Sequence, residues 1–122
     1  MKETPILKRV LLRCSRGLSR LFRNNVGAYQ DKAGNWVRYG VGGPGASDLL
    51  GWRQVTITPA HVGITIAQFL AVEVKQPGEK PTEAQARFGS MVTAAGGCFG
   101  VAHSAEEAEN IIKGVDNMGH MS

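Results

Sequence analysis

The chain of 122 residues is long enough for one hydrophobic core and too short for two, which predicts a single domain. Its 14 lysines and arginines exceed its 10 aspartates and glutamates, and the isoelectric point is about 9.4. This excess suits a nucleic-acid partner without establishing one, because many basic proteins bind no anion. No signal peptide and no membrane-spanning apolar run is visible, so secreted and membrane-embedded classes are excluded and we expect a cytoplasmic protein.

The two cysteines, Cys14 and Cys98, lie far apart in apolar surroundings. Together with three scattered histidines they show none of the spacings of a zinc site. We therefore predict two small buried side chains in a reduced, intracellular protein.

The first predicted element is an amphipathic helix that begins at Thr4 and Pro5 and ends at Gly17. Apolar residues recur along it at helical spacing: Ile6, Leu7, Val10, Leu11 and Cys14. Basic residues occupy much of the remaining surface: Lys8, Arg9, Arg13 and Arg16. The basic side is either a solvated face or a surface that contacts phosphates.

Three short strands are predicted next, over residues 18–24, 36–39 and 48–52, and the second follows a hairpin-like connection. Residues 53–58 continue or replace the third. The loop at residues 40–45 is rich in glycine but lacks the Gly-Lys-Ser/Thr of a P-loop, which excludes a nucleoside-triphosphate site of that kind. Its glycines instead predict a close approach of the backbone to a metal ion or a nucleic-acid strand.

The apolar segment at residues 69–75 has the character of a buried strand, yet it contains Glu73 and Lys75. The period of two along a strand places both charged side chains on one face. Charges are seldom buried unless they are paired or bound to a metal, so these residues indicate a role beyond folding. Asp48, just before another apolar pair, is a candidate second carboxylate for the same site.

The rest of the chain predicts a helix, a buried strand and a final helix. Thr82 and Gln85 form a capping box that starts the first helix, and Ser104 and Glu107 form another that starts the second. Between them, residues 98–102 are apolar and predict a strand. The order is helix, three or four strands, helix, strand, helix, which indicates an α/β fold with a mixed β-sheet flanked by helices on both faces.

One aspartate followed on a later strand by Glu-x-Lys resembles the PD-(D/E)xK nuclease superfamily, with Asp48, Glu73 and Lys75 at the motif positions. Two carboxylates hold Mg²⁺ or Mn²⁺, which prefer oxygen ligands and stabilise charge that develops on the scissile phosphate. The lysine orients or helps to deprotonate the attacking water. The alternative for these three residues is a structural ion pair on adjacent strands.

The resemblance narrows to the VRR-NUC family, a branch of that superfamily. The segments that carry it occur in the family's order: Glu3, Arg-Asn-Asn-Val-Gly at 23–27, Gly-Ala-Ser-Asp-Leu at 45–49, Ala-Val-Glu-Val-Lys at 71–75, Thr-Glu-Ala-Gln at 82–85, Ala-Gly-Gly at 95–97 and Gly-Val-Ala at 100–102. The resemblance implies a restriction-endonuclease-like core of order α-β-β-β-α-β with a C-terminal helix. It implies one nuclease domain over residues 1–115, followed by a flexible tail at 116–122.

The resemblance also implies roles for single residues. Asp48 and Glu73 are expected to bind the metal together with the backbone carbonyl of Val74, and Lys75 is expected to orient the water.

Gln85 and Glu3 each have two possible interpretations. Gln85 matches a glutamine that faces the site in the family, but it is equally suited to the capping box alone. Glu3 matches a glutamate near the metals, with an ordinary exposed glutamate as its alternative. The arginines expected to contact DNA phosphates are Arg9, Arg13, Arg16, Arg23 and Arg38.

The implied function is a metal-dependent DNA endonuclease that selects branched DNA such as Holliday junctions and acts as a symmetric homodimer, in a bacterial cell or in the host of a phage. One alternative is a non-catalytic DNA-binding module with the same fold, which the intact Asp48, Glu73 and Lys75 argue against. Another is a nuclease subunit that depends on a partner helicase or recombinase.

Overall fold

The computed structural model describes residues 5–114. The described residues form helices and strands in the order α1 (Pro5–Cys14), β1 (Ser19–Arg23), β2 (Gly27–Gln30), β3 (Trp36–Tyr39), β4 (Leu49–Arg53), β5 (Leu70–Val74), α2 (Glu83–Ala94), β6 (Cys98–Ala102) and α3 (Ala105–Ile112). A single 3₁₀ turn, Pro59–His61, lies between β4 and β5. None of the described helices is long and apolar enough to cross a membrane.

The chain divides into two compact units, Met1–Arg53 and Gln54–Ser122, called here the N-terminal unit and the C-terminal unit. The N-terminal unit contains α1 and β1 to β4. The C-terminal unit contains β5, α2, β6 and α3.

In the N-terminal unit, β1 and β4 form an antiparallel pair in which Leu21 lies opposite Gly51. A Cβ at Gly51 would overlap the carbonyl of Arg20, so only glycine permits this close approach of the two strands. The rings of Phe22 and Trp52 contact each other across the pair in a tilted arrangement, with centroids 5.5 Å apart and an interplanar angle of 52°. This aromatic contact is of the kind that stabilises a short strand pair beyond its hydrogen bonds.

Helix α1 is joined to β1 by Ser15. The Leu21 N–H donates to the Ser15 Oγ at 2.9 Å, and the same hydroxyl donates to the Leu21 carbonyl at 3.2 Å. Leu7, Val10 and Leu11 are half-buried along the helix. The predicted apolar stripe therefore packs inward through its central residues.

The second sheet of this unit is the antiparallel hairpin of β2 and β3, with Tyr29 opposite Val37. Its turn is held by Asp31, whose carboxylate accepts from the N–H groups of Ala33 at 3.0 Å and Asn35 at 2.8 Å. Gly34 has a φ of 87°, a conformation that favours glycine. Local turn chemistry thus explains why the chain reverses here.

In the C-terminal unit, β5 and β6 are parallel, with Glu73 opposite Val101, and α2 forms the crossover between them. Val92 of α2 and Ala102 of β6 are fully buried at 1% exposure. A Cβ at Gly89 would overlap the Phe99 ring, so this glycine lets α2 approach β6 closely. The core of this unit is therefore the contact of the helices with β6.

Three predictions need correction. The strands form three two-stranded sheets, not one mixed β-sheet, and five strands lie between α1 and α2, not the three of the α-β-β-β-α-β order. Four of these five strands were predicted, and β2 was not, because its four residues, Gly27–Gln30, have no apolar alternation. Cys14 is exposed, since it ends α1 past the half-buried stripe, and Cys98 is half-buried.

Three other predictions concern residues outside the described range of 5–114. Thr4, predicted as the N-cap of α1, lies outside the described residues. The same holds for Glu3 and for the tail at 116–122.

The predicted alternative that residues 53–58 extend the third strand is wrong beyond Arg53, where β4 ends.

Candidate active site

Asp48 lies in the N-terminal unit, directly before β4, and its side chain is exposed. Its backbone carbonyl accepts a hydrogen bond from the Asn24 N–H at 2.8 Å, at the point where β1 ends. No described residue of this unit forms a hydrogen bond or an ion pair with the Asp48 carboxylate. The backbone of Asp48 is thus fixed by β1, and its carboxylate has no partner among the described residues of its unit.

The position of Asp48 depends on Asn24. At 9% exposure, Asn24 is the one polar residue that is buried among the described residues. The Asn24 amide donates to the carbonyls of Val41 at 2.9 Å and Ser47 at 3.1 Å. Its Oδ1 accepts from the Val41 N–H at 2.9 Å. Asn24 therefore connects both ends of the glycine-rich loop to β1, a role that the sequence analysis missed because one asparagine in a turn is not distinctive.

Glu73 and Lys75 lie in the C-terminal unit and are both half-buried. Glu73 is on β5, and the Lys75 N–H donates to the Ala102 carbonyl at 3.0 Å, which continues the β5–β6 ladder by one residue. The side chain of Val74, between them, lies on the opposite face of the strand and is 73% exposed. The structure therefore confirms that both charged side chains share one face of the strand, as its period of two requires.

The two charged groups are unpaired within their unit. Among residues 54–114, no side chain forms an ion pair or a hydrogen bond with the Glu73 carboxylate or the Lys75 ammonium group, and the two do not pair with each other. Partial burial of a carboxylate with no donor costs free energy, which a bound cation would offset. The donor chemistry of Asp48 and Glu73 fits Mg²⁺ or Mn²⁺, because both ions prefer carboxylate oxygens.

Among the described residues, no group of three or more histidines, cysteines, aspartates and glutamates is placed to hold a metal ion. The predicted ligands are two carboxylates and the backbone carbonyl of Val74. That ligand set stays a prediction.

Gln85 has the capping role that was one of its two predicted alternatives. Its side-chain carbonyl accepts from the Thr82 N–H at 2.8 Å, and its own N–H donates to the Thr82 Oγ1 at 3.1 Å. The reciprocal bonds satisfy two donors at the start of α2. The NH₂ group of Gln85 takes no part in them, so its predicted role near the site remains a prediction.

The predicted DNA-contacting arginines all lie in the N-terminal unit. Arg9 and Arg13 are exposed on α1, four residues apart and so on one side of the helix, and Arg16 is exposed just after it. Arg23 is half-buried, and its Nε donates to the Asn25 Oδ1 at 3.0 Å. Arg38 is exposed on β3.

His103, directly after β6, connects the loop that follows Lys75 to the start of α3. Its Nε2 lies 3.1 Å from the Glu79 carbonyl and its Nδ1 lies 3.1 Å from the Glu107 carboxylate. The bond to the Glu79 backbone, followed by the Glu107 carboxylate, raises the pKa of His103. Hydrogen bonding from the His103 backbone N–H, at 2.7 Å, and then from its ring lowers the pKa of Glu107. The sequence predicts the Ser104 cap, but no local pattern in it indicates this connection.

Comparison with protein families decides the relationship that the sequence suggested. The family model of the VRR-NUC domain matches residues 10–106, which is most of the chain and includes parts of both units. The chain belongs to the VRR-NUC domain family. No match was found among curated proteins or solved structures.

Membership in this family makes the chain a nuclease-type DNA-processing domain, with DNA as the substrate class. The matched region contains Asp48, Glu73, Lys75 and Gln85, and it begins after Glu3.

Proposed function

We propose that this VRR-NUC domain is a Mg²⁺- or Mn²⁺-dependent endodeoxyribonuclease. In this proposal Asp48 and Glu73 hold the metal, with the Val74 carbonyl as a further ligand, and Lys75 positions the attacking water. The observation that carries it is a pair of half-buried charges, Glu73 on β5 and Lys75 directly after it, that form no ion pair with the described residues of their unit. A carboxylate and an ammonium group kept apart in this way are unfavourable for folding alone and suited to a reaction that needs both.

The reaction is hydrolysis of a phosphodiester. When bound, the cation supplies positive charge that stabilises the anionic transition state at phosphorus. Lys75 orients the water and favours loss of its proton, a new P–O bond forms from that water, and the opposite P–O bond breaks. The expected products carry 5′-phosphate and 3′-hydroxyl ends, with the leaving oxygen protonated from solvent.

Glu3 and Gln85 have auxiliary roles in this proposal. Glu3 adds negative charge near the cation, and the NH₂ group of Gln85 donates to substrate or to a ligand while its carbonyl keeps the helix cap. Because the cap requires only the carbonyl, Gln85→Glu separates the two roles: it keeps the acceptor and removes the donor.

We further propose that the domain selects branched DNA and acts as a homodimer. The exposed arginines of α1, Arg9 and Arg13, together with Arg16, Arg23 and Arg38, supply sequence-independent phosphate contacts. Two active sites related by two-fold symmetry would suit the two strands cut at a four-way junction.

The test is cleavage of labelled four-way junctions, flaps and plain duplex by the purified chain, with Mg²⁺, Mn²⁺ or EDTA. Glu73→Gln removes one charge with little change in shape, and Glu109→Gln is the matched control, because Glu109 is exposed on α3. We expect metal-dependent cutting that is lost in the first variant and kept in the second.

The alternatives give different results. Junction binding without cutting by any form of the chain would indicate a binding module. Cutting that appears only on addition of a helicase or recombinase would indicate a subunit that needs that partner. Equal cutting by Glu73→Gln and the wild type would remove Glu73 from the mechanism.

A further inference from the structure

A small groove lies in the N-terminal unit beside the β2–β3 hairpin, and Asp48 of the same unit is not among its lining residues. Its volume is about 380 Å³, which is within the range of small-molecule sites of about 300–1,000 Å³. It lies where β3 runs into the glycine-rich loop, and its lining residues include Ala28, Arg38, Tyr39, Gly43 and Pro44.

One wall of the groove is an exposed aromatic ring. Tyr39 is 49% exposed, and its ring lies over Gly27, where any Cβ would overlap it. The ring of Tyr29, 54% exposed, is beside it with centroids 6.4 Å apart. The glycine thus allows an aromatic ring to lie across the hairpin with half of its surface open to solvent.

The other side of the groove presents donors without acceptors. The Arg38 guanidinium forms no hydrogen bond or ion pair with the described residues of its unit. The same is true of the backbone N–H group of Gly43, which lines the groove, and of those of its loop neighbours Gly42 and Gly45, which do not line it. The φ angles of Gly42, Gly43 and Gly45 are positive, at 91°, 71° and 88°. Backbone N–H groups that have no acceptor in the fold are satisfied by water or by an anion.

The groove combines an aromatic ring with a cation and with backbone N–H groups that have no acceptor in the fold. These groups match the parts of one nucleotide: the ring suits the base, and the cation and N–H groups suit the phosphate. Proteins that bind single strands combine aromatic rings, on which bases stack, with positive charge along the phosphates. In paired DNA the bases are stacked on one another and do not present a face to such a ring. The charge of the groove suits a polyanion better than a second copy of this basic chain, whose net charge is +4.

We propose that the groove is a subsite for an unpaired nucleotide of the DNA substrate. The base stacks on Tyr39, and Arg38 with the loop N–H groups contacts the adjacent phosphate. The inference deepens the proposed nuclease function, on which it rests, because it gives the domain a means of distinguishing branched or partly single-stranded DNA from plain duplex.

The test measures binding without cleavage. Fluorescence anisotropy in EDTA compares a short labelled oligothymidylate, a flap and a blunt duplex, with the full chain and its variants. Tyr39→Leu removes the ring, Tyr39→Phe keeps it, and Trp36→Leu is the matched control, because Trp36 is 69% exposed on the same hairpin and does not line the groove. Circular dichroism confirms that each variant is folded.

We expect Tyr39→Leu to weaken binding of the oligothymidylate and the flap by about 5- to 10-fold, the value of one stacked base, and to leave duplex binding unchanged. Tyr39→Phe and Trp36→Leu should bind like the wild type. Arg38→Gln should weaken all three DNAs and reduce the salt dependence of binding, whereas Lys32→Gln in the hairpin turn should not.

Three results for Tyr39→Leu would overturn the proposal: equal loss of duplex and single-strand binding, no loss of binding, or a loss no larger than that in Trp36→Leu. Loss of a dimer in light scattering with no selective effect on DNA would assign the face to a second copy instead. Parallel cleavage assays keep the two proposals apart. A chain that cuts but shows no Tyr39 effect refutes the subsite alone, and a chain that never cuts but shows the selective effect refutes the nuclease alone.

Discussion

Replacing Asn24 by aspartate tests the polar centre that fixes Asp48. The exchange keeps the shape and keeps the oxygen that accepts from Val41 N–H, but it replaces an NH₂ donor by a second oxygen facing the carbonyls of Val41 and Ser47. Two hydrogen bonds become contacts between like partial charges, at a position 9% exposed to solvent. An unpaired buried charge of this kind costs about 3–5 kcal/mol.

The penalty has a defined pH dependence. The carboxyl of Asn24→Asp is expected to have a pKa above that of an unfolded aspartate, about 3.9, because its protonated form can again donate to one carbonyl. A group whose pKa is raised on folding favours the folded state below its unfolded pKa, and this advantage is lost as the pH rises through the folded value. Asn24→Asp should therefore be least stable near neutral pH and regain stability on acidification.

Urea unfolding followed by tryptophan fluorescence measures this directly, because Trp36 and Trp52 lie in the same unit as Asn24. A loss of 3–5 kcal/mol corresponds to a midpoint shift of roughly 2 M. The control is Asn25→Asp, which is exposed and keeps the oxygen that accepts from Arg23 Nε, so its change should stay within about 0.5 kcal/mol. Equal shifts in the two variants, or a loss in Asn24→Asp that does not vary with pH, would refute the reasoning.

Three further predictions address the site and its surroundings. Lys75→Ala should lower the cleavage rate by at least about 10²-fold with DNA binding retained, and near wild-type cutting would remove Lys75 from the mechanism. Replacing Arg9 and Arg13 together by glutamine should weaken DNA binding and lower its salt slope by about 2, whereas an unchanged slope would show a merely solvated face. His103→Gln should reduce the urea midpoint more at about pH 5.5 than at about pH 8.5, because the raised pKa of His103 gives a stabilisation that is present below its ordinary value of 6.5 and lost as the pH rises through the folded value. A reduction that is the same at both pH values would show that the imidazolium form makes no special contribution.

Patterns that depend on nearby residues were predicted well from the sequence. The capping box of α2 formed as expected, because it joins residues three positions apart. The box predicted for α3 formed only in part: Ser104 accepts from the Glu107 N–H, but the Glu107 carboxylate accepts from the His103 N–H and not from Ser104. The period of two, which is likewise a local pattern, placed Glu73 and Lys75 on one face of β5. Local spacing alone was enough for these features.

Features that depend on distant partners were not predicted. Strand β2 exists because it pairs with β3, and its own residues do not alternate. The hydrogen bonds of Asn24 reach residues 17 and 23 positions away, and the bond from His103 to the Glu79 carbonyl spans 24 positions. No short window of sequence contains both members of such a pair.

Asn24 and Glu73 differ in how far the described contacts of their own units account for a polar side chain. Both are polar; Asn24 directly follows β1, and Glu73 lies within β5. Asn24 is the more buried, and its side chain is satisfied by three hydrogen bonds, so its presence is explained by the fold. Glu73 is half-buried, and no described residue of its unit pairs with it, so folding gives no reason for a carboxylate there. The proposed nuclease function supplies a reason, because a hard divalent cation bound there would offset the charge of the carboxylate.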